Sequence, residues 1–394
     1  MRIFTRYVLS EFLKVFLLAL TGLTGVMILA FLAKEAVEEG LGPAAVLRLI
    51  PYIVPQALQF AVPGTVLLAA TSVYGRLSAG NEVVAVKSAG VSPLALMWPA
   101  LVLVTLLSMA TVWLNDVAFS WGRTGVERVL LESLEEIAYG RLRHQRSFQA
   151  AGVSITVKDV QGRTLIQPLF TIQRPGEERM TFTARTAELI SNPARGAIIL
   201  SLEHPSSEGN SQINIDWPAQ EDIELALEDL SRRGSASDSP SQMPLARVPS
   251  AIENQKKLIE DTRQELASLA GFSLVAGNFE DLTGELWKTR ASTLVKAEHT
   301  LARLKTEPHR RWASGFSCLA FVLVGIPIAI LRRHAEFLAS FFACFLPILL
   351  LYYPLLVVGL DQAKDGALPP IAVWTGNVVF ALWGVWLLRR VIRY

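Results

Sequence analysis

The sequence predicts a polytopic α-helical membrane protein with six transmembrane helices, arranged three and three around an extracytoplasmic β-jellyroll-like domain with a helical insert. Hydrophobic residues make up 51% of the 394 residues, and mean hydropathy is +0.37. Charged residues make up 18%, below the roughly 25% typical of soluble domains. The apolar stretches lie at both ends of the chain. The predicted domains are therefore transmembrane helices 1–3 (1–118), the jellyroll-like domain (119–230), a Ser/Pro linker with a helical hairpin (231–310), and transmembrane helices 4–6 (311–394).

Each apolar stretch approaches or exceeds the roughly 20 residues that a membrane-crossing helix needs. The six predicted spans are 12–33, a segment within 45–74, 94–114, 312–331, 337–360 and 370–388. Prolines 51, 55 and 63 predict a bent or partly interfacial start of the second span. Arg2 and Arg6 before the first span also fit a signal peptide, but the apolar run is longer than such peptides have.

Basic residues in the short loops predict the orientation. If the spans alternate in direction, one side of the membrane holds nine cations: Arg2, Arg6, Arg76, Lys87, Arg332, Arg333, Arg389, Arg390 and Arg393. The short loops of the other side hold Lys34 and Lys364 with five acids: Glu35, Glu38, Glu39, Asp361 and Asp365. The cation-rich side is therefore predicted to be cytoplasmic and to carry both termini, with the polar middle of the chain outside the cytoplasm.

Residues 74–93, which we call the connector, join the second and third predicted spans. The segment contains a helix-like core and is too short to form a domain, so it is held at the membrane surface. Asn81 is predicted to cap this helix, which places Glu82 in the first turn, where the helix dipole favours an acid. Glu82 and Lys87 are predicted to be exposed, where a soluble partner could bind them. A simply solvated Glu82 is the alternative.

The pattern of apolar residues changes twice within the polar middle of the chain. From 147 to 225, short alternating runs separated by turn residues predict antiparallel strands, including 153–157, 180–184, 197–202 and 212–216. Together they indicate a sandwich or jellyroll that is one or two strands short of a full roll. After a Ser/Pro-rich stretch, apolar residues recur at helical spacing on either side of a break at 271–284: Ile252, Ile259, Leu266, Leu294, Leu301 and Leu304. An antiparallel helical pair explains this pattern, and a partly disordered insert is the alternative.

Catalytic and cofactor motifs are absent from the sequence. No Gly-Lys dipeptide occurs, which excludes the phosphate-binding loop of ATPases, and no G-x-S-x-G elbow occurs. The five histidines are scattered, and the two cysteines, Cys318 and Cys344, lie in apolar stretches, so neither a metal nor a cofactor is expected. The net charge of +2 argues against nucleic-acid binding. We therefore do not expect an enzyme.

Two cations on the extracytoplasmic side are candidate lipid-binding residues. Lys34 ends the first span, and Arg48 lies in the first turns of the second. At this boundary both side chains could pair with lipid phosphates. The alternative is that they only extend to the interface, as cations at helix ends commonly do.

Several short motifs resemble those of the YjgP/YjgQ permease family, the LptF and LptG membrane subunits of the lipopolysaccharide exporter. The connector match, Gly75-Arg-Leu-Ser-Ala-Gly-Asn-Glu82 with Ser88-Ala-Gly-Val-Ser-Pro93, is the most specific. The other matches are Arg6-Tyr-Val-Leu9, Ala184-Arg-Thr-Ala-Glu188, Arg310-Arg-Trp312, Gly325-Ile-Pro327 and Tyr352-Tyr353. They follow the family order through both membrane blocks, whereas residues 231–308 are longer than the link usual in the family.

This resemblance implies a permease subunit of an ATP-driven exporter that takes lipopolysaccharide from the inner membrane to a periplasmic bridge. The implied partners are an LptB-like ATPase dimer, a second LptF/LptG-type subunit or a copy of this chain, and LptC/LptA-like proteins. The connector would contain the coupling helix, near 76–92, with Arg76, Asn81, Glu82 and Lys87 as ATPase-coupling residues and Lys34 as a lipid contact. The alternatives are a membrane-anchored scaffold or sensor, and a permease for another lipid.

Overall fold

The computed structural model describes residues 2–39, 43–122, 125–126, 128–129, 133–150, 153–172, 180–192, 197–203, 206–207, 220–226, 240–282, 284–332 and 337–393. The chain divides into two compact units. The bundle unit comprises Met1–Met27, Pro55–Ser120 and Met243–Tyr394, and the sheet unit comprises Ile28–Val54 and Trp121–Gln242.

Within the described residues, six helices are long and apolar enough to cross a membrane, which confirms the predicted number. Their membrane-competent stretches are Ile3–Val37, Ala44–Ala79, Pro93–Gly122, Glu285–Leu331, Ala339–Lys364 and Pro370–Arg393. The helix that contains the second stretch continues without a break through Pro51, Pro55 and Pro63. The fifth contains a π-helical turn, Ile348–Tyr352, directly after Pro347, which the sequence did not predict.

The ten α-helices of the described residues are numbered in chain order. They are α1 Arg2–Glu39, α2 Pro43–Ala79, α3 Glu82–Ser88, α4 Pro93–Val117, α5 Leu134–Gln145, α6 Val248–Ala276, α7 Glu285–Leu331, α8 Phe337–Pro347, α9 Tyr353–Lys364 and α10 Thr375–Arg393. Short 3-10 helices occur at Leu245–Arg247, Phe279–Leu282 and Pro370–Trp374, and a π-helical turn at Ala118–Gly122 extends α4.

Helix α7 is the centre of the bundle unit. It is 47 residues long and packs against both α4 and α10. Close helix contact depends on glycine here, because a Cβ at Gly315 would lie 2.9 Å from the backbone nitrogen of Val112 and 3.0 Å from the carbonyl oxygen of Ser108. Small residues at such crossings let the backbones of membrane helices approach.

The predicted helical pair is present. Helix α6 runs to Ala276, Gly277 ends it with a φ of 69°, and α7 returns along it and continues into the fourth span. The predicted stripe lies inside the pair, with Ile259, Leu266 and Leu304 buried. The break is later than expected, because Gly271 lies within α6 rather than in the turn.

The sheet unit contains two five-stranded antiparallel sheets. Their strands are β1 Ser147–Ala150, β2 Val153–Thr156, β3 Asp159–Gln161, β4 Thr164–Ile166, β5 Leu169–Ile172, β6 Met180–Thr183, β7 Thr186–Asn192, β8 Ala197–Glu203, β9 Ser206–Ser207 and β10 Gln220–Ala226. One sheet has the order β1-β2-β5-β6-β9 and the other β10-β8-β7-β4-β3. The predicted strand at 212–216 lies outside the described residues.

The two sheets share one apolar core with α5. Ile155 and Phe170 come from the first sheet, Leu165 and Leu189 from the second, and Leu142 from α5. The Tyr139 hydroxyl of α5 accepts a hydrogen bond from the Leu189 backbone N–H at 2.9 Å and donates to the Arg163 carbonyl oxygen. Helix α5 is therefore part of this domain's core, a contribution that strand patterns alone did not reveal.

Candidate functional site

The connector forms a turn, a short helix and a second turn. After α2 ends at Ala79, Asn81 adopts a left-handed conformation with a φ of 57°, and α3 spans the seven residues Glu82–Ser88. Gly90 has a φ of 78°, a conformation that suits glycine, and Pro93 begins α4. The predicted helix is therefore present, although it is shorter than the segment 76–92.

Asn81 occupies the N-cap position of α3, but its side chain makes no capping hydrogen bond. Its backbone carbonyl accepts the first helical bond from the Ala85 N–H, at 2.9 Å. The predicted capping by the Asn81 side chain is thus wrong, because the residue serves the turn through its left-handed backbone, which asparagine tolerates. Glu82 does lie in the first turn, where the helix dipole favours its charge.

The connector is tied to the rest of the bundle unit. Val83 is buried against the core, and the Tyr74 hydroxyl donates to the Leu96 carbonyl at 3.0 Å. Ser78 Oγ donates to the carbonyl of Ile330 in α7 at 2.8 Å. Lys87 Nζ donates to the carbonyl of Val391 in α10 at 3.2 Å, as cations commonly do near helix C-termini. These contacts link the connector to α4, α7 and α10.

Arg76 also has a partner inside the chain. Its guanidinium lies 2.5 Å from the carboxylate of Glu11 in α1, which Lys14 also contacts at 3.2 Å. Arg76 was expected to act with Glu82, and Glu11 was not predicted as its partner. A signal for Glu11 exists, because it is the first acidic residue of the chain and lies directly before the first predicted span.

Glu82 differs from Arg76 and Lys87. Among the described residues, no cation lies within ion-pair distance of its carboxylate, which is half-exposed. Glu82 is also the charged member of an otherwise mostly apolar groove of about 430 Å³ between α1, α3 and α4. Phe4 and Val8 of α1, and Val86 and Ala89 of the connector, contribute to its lining. The groove offers an apolar recess beside an available carboxylate.

Lys34 and Arg48 belong to the sheet unit and are both exposed. Lys34 lies near the end of α1 and Arg48 near the start of α2. Their neighbours Leu32 and Leu49 pack into the core instead. Both cations are therefore exposed, one near the end of α1 and the other near the start of α2.

At the other end of α4, four charged side chains and one aromatic ring form a largely buried group, which we call the Arg311 network: Asp116, Phe119, Glu307, Arg310 and Arg311. The Arg311 side chain is fully buried, forms an ion pair with Asp116, and lies 3.9 Å from Glu307. Arg310 pairs with Glu307 at 2.6 Å, and its guanidinium carbon lies 4.3 Å from the centroid of the Phe119 ring.

The Arg311 network also holds the segment before α6. Arg311 Nη2 donates to the carbonyl of Met243 at 2.7 Å, and the Leu245 backbone N–H donates to Asp116 at 2.9 Å. The Arg-Arg-Trp motif is visible in the sequence, but Asp116 and Glu307 were not predicted as its partners. The available signal was that both acids lie beside the ends of apolar spans, where a cation is needed to balance them.

Across the part of the chain that the structure describes, no group of three His, Cys, Asp or Glu side chains could hold a metal ion. Both cysteines are buried and unpaired.

Comparison with known proteins gives one result that covers nearly the whole molecule. No curated protein matches the chain. The family model described as lipopolysaccharide export system permease LptF/LptG matches residues 6–390. This range covers the connector, both sheets and, apart from three residues at each outer end, the six membrane-competent helices of the described residues. The chain therefore belongs to the LptF/LptG family of lipopolysaccharide export permeases.

Proposed function

We propose that this chain is a permease subunit of an ATP-driven exporter that extracts lipopolysaccharide from the inner membrane and passes it to a periplasmic bridge. The observation that carries the proposal is the family match over residues 6–390. The sequence contains no phosphate-binding loop, which is consistent with ATP hydrolysis on a separate LptB-like ATPase dimer. A second LptF/LptG-type subunit, or a copy of this chain, would complete the membrane part.

The proposed orientation places both termini and the connector in the cytoplasm. The excess of Arg and Lys in the short loops on that side supports it. The two sheets would then lie in the periplasm, where we propose that they act as a jellyroll that hands the lipid to LptC/LptA-like proteins. Lys34 and Arg48 would contact lipid phosphates at the outer leaflet, and their exposure supports this role.

The connector is the proposed contact with the ATPase. Glu82 is half-exposed, has no ion-pair partner among the described residues, and lines the apolar groove beside α3. A basic or polar surface of the ATPase would therefore gain a charge-assisted contact there. Arg76 and Lys87 already bind inside the chain, so we propose that they hold the connector in position, with Asn81 shaping its turn.

The substitution Glu82→Lys tests this role. We expect the variant to insert normally but to lose ATPase during affinity purification in detergent, or to hydrolyse ATP without releasing lipopolysaccharide, because like charges replace a complementary pair. Glu253→Lys on α6 is the matched control, since Glu253 is also a helical surface acid, with 72% of its side chain exposed. Normal lipopolysaccharide release by the Glu82 variant would contradict the proposal.

The same purification separates the alternatives. Recovery of an ATPase together with a second six-span protein, or with a second copy of this chain, supports the exporter. Recovery of neither would instead favour a membrane-anchored scaffold or sensor. An ATPase complex that releases a different lipid, but not lipopolysaccharide, would indicate a permease for another lipid.

A further inference from the structure

The helical pair forms a second recess at the end of the bundle unit opposite the connector. We call it the hairpin groove. It has a volume of about 540 Å³ and lies between α6, α7 and the loop from Ala363 to Pro370. Its apolar lining includes Ile259, Leu301 and Leu368, and its cations are Lys256, Arg263 and Lys305. The lining thus combines an apolar floor with positive charge.

The charges in the hairpin groove are not all balanced. Arg263 is 2.6 Å from Glu298, so this pair is neutral. Glu260 is the remaining carboxylate and accepts a hydrogen bond of 3.4 Å from Gln264. Among the described residues, neither Lys256 nor Lys305 has a carboxylate within ion-pair distance. Two unpaired ammonium groups therefore face one carboxylate, which leaves the groove with a net positive charge.

The groove is held in shape by hydrogen bonds on each side. Gln255 of α6 donates to the Ala297 carbonyl of α7 at 3.0 Å. Thr306 of α7 donates to the Ala363 carbonyl at 3.2 Å, which ties the loop to the hairpin. Gly366, with a φ of 80°, turns the loop, and the Ala367 backbone N–H donates to the Gln362 carbonyl at 3.0 Å. A ligand would therefore meet a preformed site.

The groove lies beside the membrane boundary. Trp312 and Trp374 flank Phe316, with ring centroids about 6 Å from it, and tryptophan is typical of the lipid headgroup level. Lys305 lies two helical turns before Trp312, which is about 10 Å along the helix axis. The loop leads directly into the last membrane-competent helix, at Pro370. A lipid headgroup can therefore reach the cations while its acyl chains stay in the bilayer.

We propose that the hairpin groove binds the phosphate of a lipid headgroup, held by Lys256 and Lys305. Ammonium groups are phosphate ligands, and the apolar lining suits the part of the lipid next to the headgroup. Glu260 would lie beside the phosphate, where it can accept a hydrogen bond from an amine or hydroxyl of the same headgroup. The site goes beyond the proposed function, because it requires a membrane but neither an ATPase nor transport.

Photo-crosslinking tests the site. A photoreactive residue replaces Leu368 in the full chain, in nanodiscs of phosphatidylethanolamine and phosphatidylglycerol, and mass spectrometry identifies the lipid adduct. We expect the double variant Lys256→Gln/Lys305→Gln to lower adduct yield about tenfold or more, since two charge-assisted contacts are lost. The matched control, Lys257→Gln/Arg303→Gln, removes two exposed cations that do not line the groove and should keep the adduct.

Lys305→Arg keeps the charge and should retain the adduct, which guards against a folding defect in the double variant. Lipopolysaccharide is then added to the nanodiscs, and mass spectrometry shows which of the two lipids is crosslinked. Either a phospholipid or a lipopolysaccharide adduct supports the phosphate site. Equal yields in the double variant and the wild type would overturn the proposal, as would equal losses in the double variant and its control. A lower adduct yield in the presence of inorganic phosphate would support recognition of the lipid through its phosphate. None of these outcomes depends on ATP-driven export.

Discussion

Helix α4 connects two regions whose charged side chains differ in burial and in pairing. At its start, the connector presents Glu82, a half-exposed carboxylate with no ion-pair partner among the described residues. At its end, the Arg311 network encloses Asp116, Glu307, Arg310 and Arg311, two acids and two bases, around a fully buried guanidinium. The region before α4 thus contains a carboxylate without an ion-pair partner among the described residues, whereas the charges around the end of α4 are paired.

This difference separates two uses of a charged residue. A buried, paired charge is costly to uncouple, because removing one partner leaves the other desolvated without compensation. A surface carboxylate with no ion-pair partner contributes little to folding stability, so it can bind another protein instead. We therefore expect the Arg311 network to contribute to stability and Glu82 to contribute to binding, and three substitutions test this expectation.

Arg311→Met should have the largest effect. It leaves Asp116 and Glu307 without their buried partner, and we expect a loss of about 3–5 kcal/mol in the free energy of unfolding. Cys318 and Cys344 are buried, so labelling by a thiol-reactive dye during heating reports the unfolding of the bundle unit. The control Arg303→Met removes an exposed arginine of the same helix. Equal melting temperatures for the two variants would remove the structural role of the network.

Gly315→Ala tests the packing of α4 between the two regions. The added Cβ would lie 2.9 Å from the Val112 backbone nitrogen, so overpacking should destabilise the protein by about 1–3 kcal/mol. Gly271→Ala in α6 is the matched control, because nothing lies within 4 Å of its added Cβ. There the higher helix propensity of alanine should stabilise by up to about 1 kcal/mol. The dye assay should show shifts of opposite sign, and a shared sign would contradict the close α4–α7 contact.

Glu82→Gln should have the smallest effect on stability. The carboxylate has no ion-pair partner to lose among the described residues, so the free energy of unfolding should change by no more than about 0.5 kcal/mol. The same dye assay on the isolated chain measures this. A loss approaching that of Arg311→Met would show that Glu82 is a structural residue. The contrast between the two ends of α4 would then disappear.

Periodicity and composition predicted much of the architecture. The number of membrane-competent helices, the strand at 197–202 and the helical pair are confirmed, because each depends on a pattern of apolar residues that local geometry converts into a helix or strand. Local pattern did not reveal how Asn81 supports α3, nor that Arg76 binds Glu11. Both depend on backbone torsion or on residues distant in the chain.

The amino-acid sequence is sufficient to identify a membrane protein with a polar middle, since the length and hydropathy of a span are properties of consecutive residues. It also marked the connector as a short segment confined between two spans. Which charged side chains have partners within the chain depends on how the helices pack in the folded protein. Arg76, Lys87 and Glu82 lie within one short stretch of sequence, yet the first two are held by α1 and α10 and the third is not. The reason is physical: an ion pair or a hydrogen bond requires two groups within about 4 Å, and the folded helices set that distance.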